Sequence, residues 1–299
     1  LNLEETPTLH VHWGTPDAGV NTGVSDSEGG DANSRVYEIV QILDSHRLRL
    51  RPEAKASGSA SYSIGQLSHF RMRVSNSDFF FLDTRTFRQM HDVSNPSRKG
   101  VSMLGRTQKA WLKDEMQSSD AKFFFVISSV NLMIPHVGGA STSGRVPNKD
   151  DAWTAFVDER EELIRFWDSL GKPVFVLTGD LHNSFAIKVT DRVWEFASGP
   201  HNSINHSAGS EAGRPANGVF ESRGRKADIR WSSYILDDVP RDQRARPVYC
   251  LVQVNNVFNN PVEEGTERWV AFPRPQVVFQ YYDGLSGELL YAESIVSPD

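Results

Sequence analysis

The stretch Pro173-Val174-Phe175-Val176-Leu177-Thr178-Gly179-Asp180-Leu181-His182 decides how the rest of the chain is read. Four consecutive apolar residues with no polar alternation predict a strand buried on both faces. The glycine, aspartate and histidine that follow place polar chemistry at its carboxyl end. Two more runs share this form. Phe79 to Leu82 ends at Asp83-Thr84-Arg85, and Phe123 to Ile127 ends at Ser128-Ser129. The segments between them have helical spacing. Gly105 to Ser118 brings Leu104, Trp111, Leu112 and Met116 to one side. A second helix, capped by Asp150 or Asp151, runs to about Leu170 with Trp153, Phe156, Val157, Leu163, Ile164 and Trp167 on its apolar face, and Gly171 stops it. Strand and helix in alternation predict an α/β sheet covered on both faces.

Downstream the pattern turns to strands. Phe185–Val189 and Val193–Phe196 form a pair around a turn at Asp191, and Val248–Val254, Val277–Tyr282 and Glu288–Ile295 follow, the last two as a hairpin. Upstream, Thr15 to Ser34 reads as a loop, Ser34 to Asp44 as a short helix carrying Val36, Ile39, Val40 and Leu43 on one face, and Ala54 to Ser63 as a small, polar connection. The chain divides into a loop-rich segment, 1–61, and one larger unit, 62–299.

Composition narrows the function. The 32 basic and 38 acidic residues give a net charge of −6, with no basic tail or stripe, which argues against nucleic acid as the main partner. No apolar run approaches the ~20 residues of a membrane span. Cys250 is the single cysteine, so no intrachain disulfide and no cysteine-based zinc site can form. There is no Gly-x-Ser-x-Gly elbow, Walker motif or dinucleotide fingerprint.

In open α/β sheets ligands bind beyond the carboxyl ends of the strands. Asp180 and His182, two apart on a tight turn, can both face one site. Carboxylate with imidazole suits iron, zinc or manganese, and carboxylate alone suits calcium or magnesium. Asn183 and Ser184 are placed to orient them. The structural alternative is a strand-end turn in which Asp180 accepts backbone N–H bonds. Arg85 and Arg88 suit phosphate, because the guanidinium fork matches its geometry, or else a structural pair with Asp83. Arg160, amid apolar neighbours, either snorkels to solvent or, as the favoured reading, is buried and calls for a carboxylate partner. His136, His201 and His206 are candidates for phosphate or metal contact, or solvated loop residues.

Four motifs in order carry a resemblance to a known family. They are Phe80 to Arg88 (Phe-Phe-Leu-Asp-Thr-Arg-Thr-Phe-Arg), Met103 to Leu112 (Met-Leu-Gly-Arg-Thr-Gln-Lys-Ala-Trp-Leu), Asp151-Ala152-Trp153 through Glu159-Arg160, and Leu177 to Ser184 (Leu-Thr-Gly-Asp-Leu-His-Asn-Ser). Across about Tyr62 to His206 the chain resembles the alkaline phosphatase D (PhoD-like) family of calcineurin-like metallophosphoesterases. The resemblance implies two stacked mixed β-sheets flanked by helices, with a two-metal site at the strand ends. It implies that the full-length protein is an enzyme that hydrolyses small phosphate monoesters or diesters, with calcium and iron, or calcium alone, as metals, working in the periplasm or outside the cell. It assigns a metal-ligand role to Asp180 and His182, sets Arg85 and Arg88 in the strand-end motif as candidate catalytic residues, and leaves Asn183 and His201 as supporting or substrate-contacting residues.

The family's earlier ligand motifs, a Gly-Asp-x-x-Tyr and an Asp-Asp-His run, have no match; Gly30-Asp31 is followed by Ala-Asn-Ser. The expectation is therefore a portion of a phosphatase whose remaining metal ligands lie upstream. The alternative is a non-catalytic half-domain that binds a partner or phosphate. Oligomeric state is not encoded in any of these patterns.

Overall fold

The computed structural model describes residues 7–12, 35–88, 99–137, 152–233 and 238–298, together with Leu3 and Asn33. Among these residues the strands in the first half are β1 (Pro7–His12), β2 (Arg35–Asp44), β3 (Arg47–Arg51), β4 (Ser61–Gln66), β5 (Phe70–Val74), β6 (Ser77–Phe81), β7 (Phe123–Ile127) and β8 (Val174–Thr178). In the second half they are β9 (Phe185–Lys188), β10 (Val193–Ala197), β11 (Gly218–Ser222), β12 (Arg225–Ser232), β13 (Val248–Asn259), β14 (Trp269–Asp283) and β15 (Leu289–Val296). The helices are α1 (Gly105–Ser118) and α2 (Val157–Ser169).

The apolar runs dictate the centre. Strands β6, β7, β8 and β10 pair in parallel and form the middle of an eight-stranded mixed sheet in the order β11-β12-β9-β10-β8-β7-β6-β5. Along β7 and β8, Phe124, Val126, Val174 and Val176 face one side and Phe123, Phe125 and Phe175 the other, as the twofold strand period requires. The first side packs against Leu112 and Met116 of α1 and Leu163, Ile164 and Trp167 of α2. The second is covered by strands. The antiparallel sheet β13-β14-β15 lays Val277, Phe279 and Tyr281 on Phe175 and Phe196. Phe196 and Phe279 stack with ring centroids 3.5 Å apart, and the buried Tyr281 hydroxyl donates to the Phe185 carbonyl at 2.8 Å, joining the two sheets. Each buried Phe contributes on the order of 2 kcal/mol of apolar burial.

Stacked sheets are thus present, but the expected cover of helices on both faces is not. Both α-helices among the described residues share one face, because the second apolar face is already buried under β13–β15. The N-terminal stretch also differs from the reading as loop-rich. Its described part builds an antiparallel sheet in the order β3-β2-β1-β4. The helix expected at 34–44 is strand β2, paired with β1 and β3. Its β-branched Val36, Ile39, Val40 and Ile42 suit a pleated surface, and pairing on both sides overrides the chance helical spacing. The helix read as starting at Asp150 or Asp151 begins at Val157 instead, after a 3-10 turn at Trp153–Ala155. The proposed caps and most of the loop at 15–34 lie outside the described residues.

Buried polar groups pin the connections. Gln108 on α1 is fully buried. Its amide accepts from the Asp83 N–H at 2.8 Å and donates to the Asp83 carbonyl at 2.9 Å, locking the helix to the end of β6. Gly105 lies over Phe87 with φ +70°, a conformation that favours glycine, and a β-carbon there would press on that side chain at 3.2 Å. Arg160 is fully buried, as an arginine between Val157 and Leu163 demands, and is held by Glu161 at 2.9 Å and by the Ser222 carbonyl at 2.9 Å. Glu195 stands mid-strand on β10 with no exposure. It accepts from the N–H groups of Leu132 at 2.6 Å and Met133 at 2.8 Å and from the Thr178 hydroxyl at 3.1 Å. Burial nonetheless pushes its carboxyl up to about 7, against these donors and the charge of Arg160.

Replacing Gln108 by Leu leaves the Asp83 N–H and carbonyl buried without partners. Urea unfolding is expected to show a loss of about 3 kcal/mol. Glu195 binds its proton more tightly in the folded chain than in the unfolded one. Its contribution is therefore complete below the unfolded value of 4.5 and is lost as pH rises through about 7. That displacement is worth of order 3 kcal/mol. Glu195→Gln leaves one backbone N–H facing an amide donor, so at pH 5 the variant is expected to be less stable than wild type by about 1–3 kcal/mol. The gap narrows between pH 5 and pH 8, as followed by urea titrations across that range.

Candidate functional site

Because β6, β7, β8 and β10 are parallel, their carboxyl ends lie along one edge of the sheet. Backbone bonds from Leu82 N–H to the Ile127 carbonyl (3.0 Å) and from Ser128 N–H to the Leu177 carbonyl (2.9 Å) carry the register past the last paired residues. The polar segments after the strands are thereby set side by side.

At the end of β6, Asp83 is a turn-former. Its carboxylate accepts from the N–H groups of Arg85 (3.0 Å) and Thr86 (2.8 Å) and from the Ser68 hydroxyl (2.6 Å). Burial raises its pKa, but these donors outweigh burial and hold the carboxyl below the usual range. The structural alternative for this motif was an Arg–Asp pair; the arrangement found is an Asx turn that uses the Arg85 backbone. The Arg85 side chain is exposed, and Arg88 is half-buried. Thr84 is hydrogen-bonded to Ser129, which ties the end of β6 to the end of β7.

After β8 the chain turns twice in five residues, 179–183. Leu181 N–H bonds to the Gly179 carbonyl and Asn183 N–H to the Leu181 carbonyl, both at 2.7 Å, and Asp180 sits at φ +65°. A left-handed aspartate at the centre of a three-residue turn is an uncommon backbone state that marks a place for functional scrutiny. Among the described residues the Asp180 carboxylate accepts no hydrogen bond, and its side chain is 48% exposed. The capped-turn alternative does not describe it. One carboxylate oxygen lies 4.0 Å from Nδ1 of the buried His136, on the loop after β7.

His182 is oriented by its backbone surroundings. Its Nδ1 lies 2.8 Å from the Ile204 carbonyl, with the Ser203 hydroxyl at 3.4 Å. A carbonyl can only accept, so Nδ1 carries a proton toward it, which leaves Nε2 as the ring nitrogen not engaged by that bond. His206 stacks on it with ring centroids 4.4 Å apart and a 21° tilt, and the His136 ring is 5.4 Å from that of His206. Three histidines and Asp180 thus gather at the edge. His201 does not join them; it is exposed, on the turn after β10.

A buried network fixes this group. Asn183 donates to Glu211 (2.6 Å) and to the His206 carbonyl (3.2 Å), and accepts from Asn205 (3.0 Å). Glu211 is paired with the equally buried Arg214 at 2.5 Å. The turn bearing His206 is therefore anchored directly to the residue next to His182. Glu195 serves the neighbouring loop, since Leu132 and Met133 lead to His136. Sequence reasoning did not single out Glu195, Asn205, Glu211 or Arg214. For Glu195 a signal was present, a lone carboxylate inside Val-Trp-Glu-Phe-Ala. The other three are scattered over a loop and acquire meaning only through tertiary contact.

The donor types here suit a metal ion. Their number does not: among the described residues no three His, Cys, Asp or Glu side chains converge closely enough to hold one. No curated protein matches the chain. The family model for PhoD-like phosphatase matches residues 63–233. That span is more than half of the 299 residues and contains β5 to β12, both helices and every residue of the strand-end group. The chain belongs to the PhoD-like phosphatase family.

Proposed function

We propose that the strand-end group takes part in metal-dependent hydrolysis of small phosphate esters, with Asp180 and His182 as two of the metal ligands. The observation that carries this reading is the state of these two side chains. One is a carboxylate held at φ +65° without a backbone cap, and the other an imidazole whose Nδ1–H is already engaged, leaving Nε2 to face a ligand. Asn183 holds the turn that carries His206, and Arg85, exposed beside the strand ends, supplies a guanidinium fork for a phosphate oxygen. Arg88 sits three residues further along the same turn, in reserve for the same task. His201 stays peripheral. On this reading the site belongs to a metallophosphoesterase-type sandwich, the other ligands come from outside the described residues, and the metals are calcium and iron. Work in the periplasm or outside the cell is part of the same proposal and rests on family resemblance.

A second reading is favoured by one observation, the lack of a third converging donor among the described residues. On that reading the chain binds phosphate or a partner without turnover.

Hydrolysis of p-nitrophenyl phosphate and bis(p-nitrophenyl) phosphate by the protein with its upstream segment, calcium and iron added, decides between them, since the present 299 residues are expected to turn over poorly on either reading. The first reading expects metal-dependent release of nitrophenol that falls at least about a hundredfold in His182→Ala, with the unfolding midpoint unchanged. Equal rates in wild type and variant would remove His182 from the site. Phosphate binding without release from either ester would leave the binding reading standing.

A further inference from the structure

We propose that Glu195 is a positioning residue for the strand-end group, and that its proton sets how firmly the loop at 130–137, which carries His136, is held to the core. The proposal rests on His136 belonging to that group, through its contacts with Asp180 and His206, and not on any hydrolysis there.

The loop hangs between two anchors. At one end, Oε1 of Glu195 accepts from the Leu132 N–H at 2.6 Å and from the Thr178 hydroxyl at 3.1 Å, and Oε2 accepts from the Met133 N–H at 2.8 Å. Two successive N–H groups aimed at one carboxylate form a small anion nest. The Met133 carbonyl is gripped as well, by the Ser222 hydroxyl, and Arg160 donates to the oxygen of that hydroxyl at 3.2 Å and to the Ser222 carbonyl at 2.9 Å. At the other end, the Val137 N–H donates to the Ser210 carbonyl at 2.9 Å. His136 lies between them, and only the Glu195 anchor contains a group whose charge can change.

An ionised Glu195 holds both N–H groups with charge-assisted bonds. A proton on it needs an acceptor. Neither backbone N–H can serve, but the Thr178 hydroxyl can turn and accept. The proton then sits on Oε1, and the Leu132 N–H is left facing a hydroxyl oxygen, a poorer acceptor than a carboxylate. The register neighbours on β8 and β9, Val176 and Ile187, are apolar. The groups that act on the charge are Arg160 from α2, itself paired with Glu161 at 2.9 Å, and Tyr281 from β14, whose hydroxyl burial keeps protonated. Burial outweighs the donors and Arg160 and brings the carboxyl up to about 7. The grip is therefore complete above that value and loosens as pH falls through it. The fold as a whole gains from the proton because a charge leaves the interior, while the loop loses part of one bond.

Nuclear magnetic resonance of the full chain tests this without metal or ester, so hydrolysis can fail and the proposal stand. Between about pH 5 and pH 9 the Leu132 and Met133 amide protons are expected to move downfield together as pH rises, with a midpoint at about 7 shared by the Glu195 carboxyl carbon. Glu195→Gln should abolish that movement. At one pH above the midpoint, the variant should also lose Overhauser contact between the rings of His136 and His206, while the contact between His182 and His206, held by Asn183, persists and reports an intact fold. Amide protons that stay fixed in wild type, a carboxyl midpoint that differs from theirs, the same movement in Glu195→Gln, or an unaltered contact between His136 and His206 in the variant would each overturn the proposal. If the variant does not fold, the two wild-type midpoints still decide it.

Discussion

The fold depends on the parallel pairing of β6, β7, β8 and β10. Strands apolar on both faces cannot leave either face in water. The chain covers one face with two helices and the other with an antiparallel sheet of aromatic residues, Phe279 and Tyr281 foremost. With both faces closed, polar chemistry has one natural outlet, the carboxyl edge where the strands end. Asp83, Ser128, Ser129, Asp180 and His182 are there because the interior has little room for them.

The polar groups that do remain inside hold backbone in place. Gln108 reproduces a peptide pairing for Asp83, Glu195 ties down the Leu132–Met133 backbone, and the Asn183–Glu211–Arg214 chain fixes the turn that carries His206. Each satisfies hydrogen bonds that a loop passing over a closed core would otherwise leave open. Position at the strand ends is thus set from beneath. The histidines stack because buried carboxylates and amides hold their loops, and little in the exposed contacts among them is needed to keep them together.

Legibility followed the range of the interactions. The buried strands at β6, β7 and β8, the bounds of α1 and the C-terminal hairpin were readable, since each is a local apolar pattern ended by glycine or polar residues. Arg160 was readable as a charge needing a partner. Strand β2 was misread as a helix because Val36, Ile39, Val40 and Leu43 happen to fit a helical face, while its real partners, β1 and β3, add nothing to a local pattern. Strands β11 and β12 were missed for a similar reason: half-polar and at the sheet edge, they take their form from pairing, β11 with β12 and β12 with β9. At the site, Asp180 and His182 stood out as Gly-Asp-x-His. The approach of His136 and His206 depends on chain segments up to 70 residues apart and was open only as a list of candidates.

The boundary of the family match bears on how the strand-end group relates to the N-terminal sheet. The strand-end group lies wholly within residues 63–233, so whatever chemistry it performs is framed by the family's shared core. A cavity against the first turn of α1 is built across that boundary. Leu67, His69, Phe87 and Arg106 come from inside it, and Val36, Glu38, Arg51 and Lys55 from the N-terminal sheet outside it. The two meet at the Asp83–Phe87 turn, whose Thr84 bonds Ser129 at the strand ends and whose Phe87 walls the cavity. Asp83 makes that turn rigid by accepting three hydrogen bonds, while Gln108 clamps its backbone to α1. Phe87 therefore rests on a turn continuous with the strand ends and held by the same buried bonds, so the N-terminal sheet and the strand-end group are braced by one clamp.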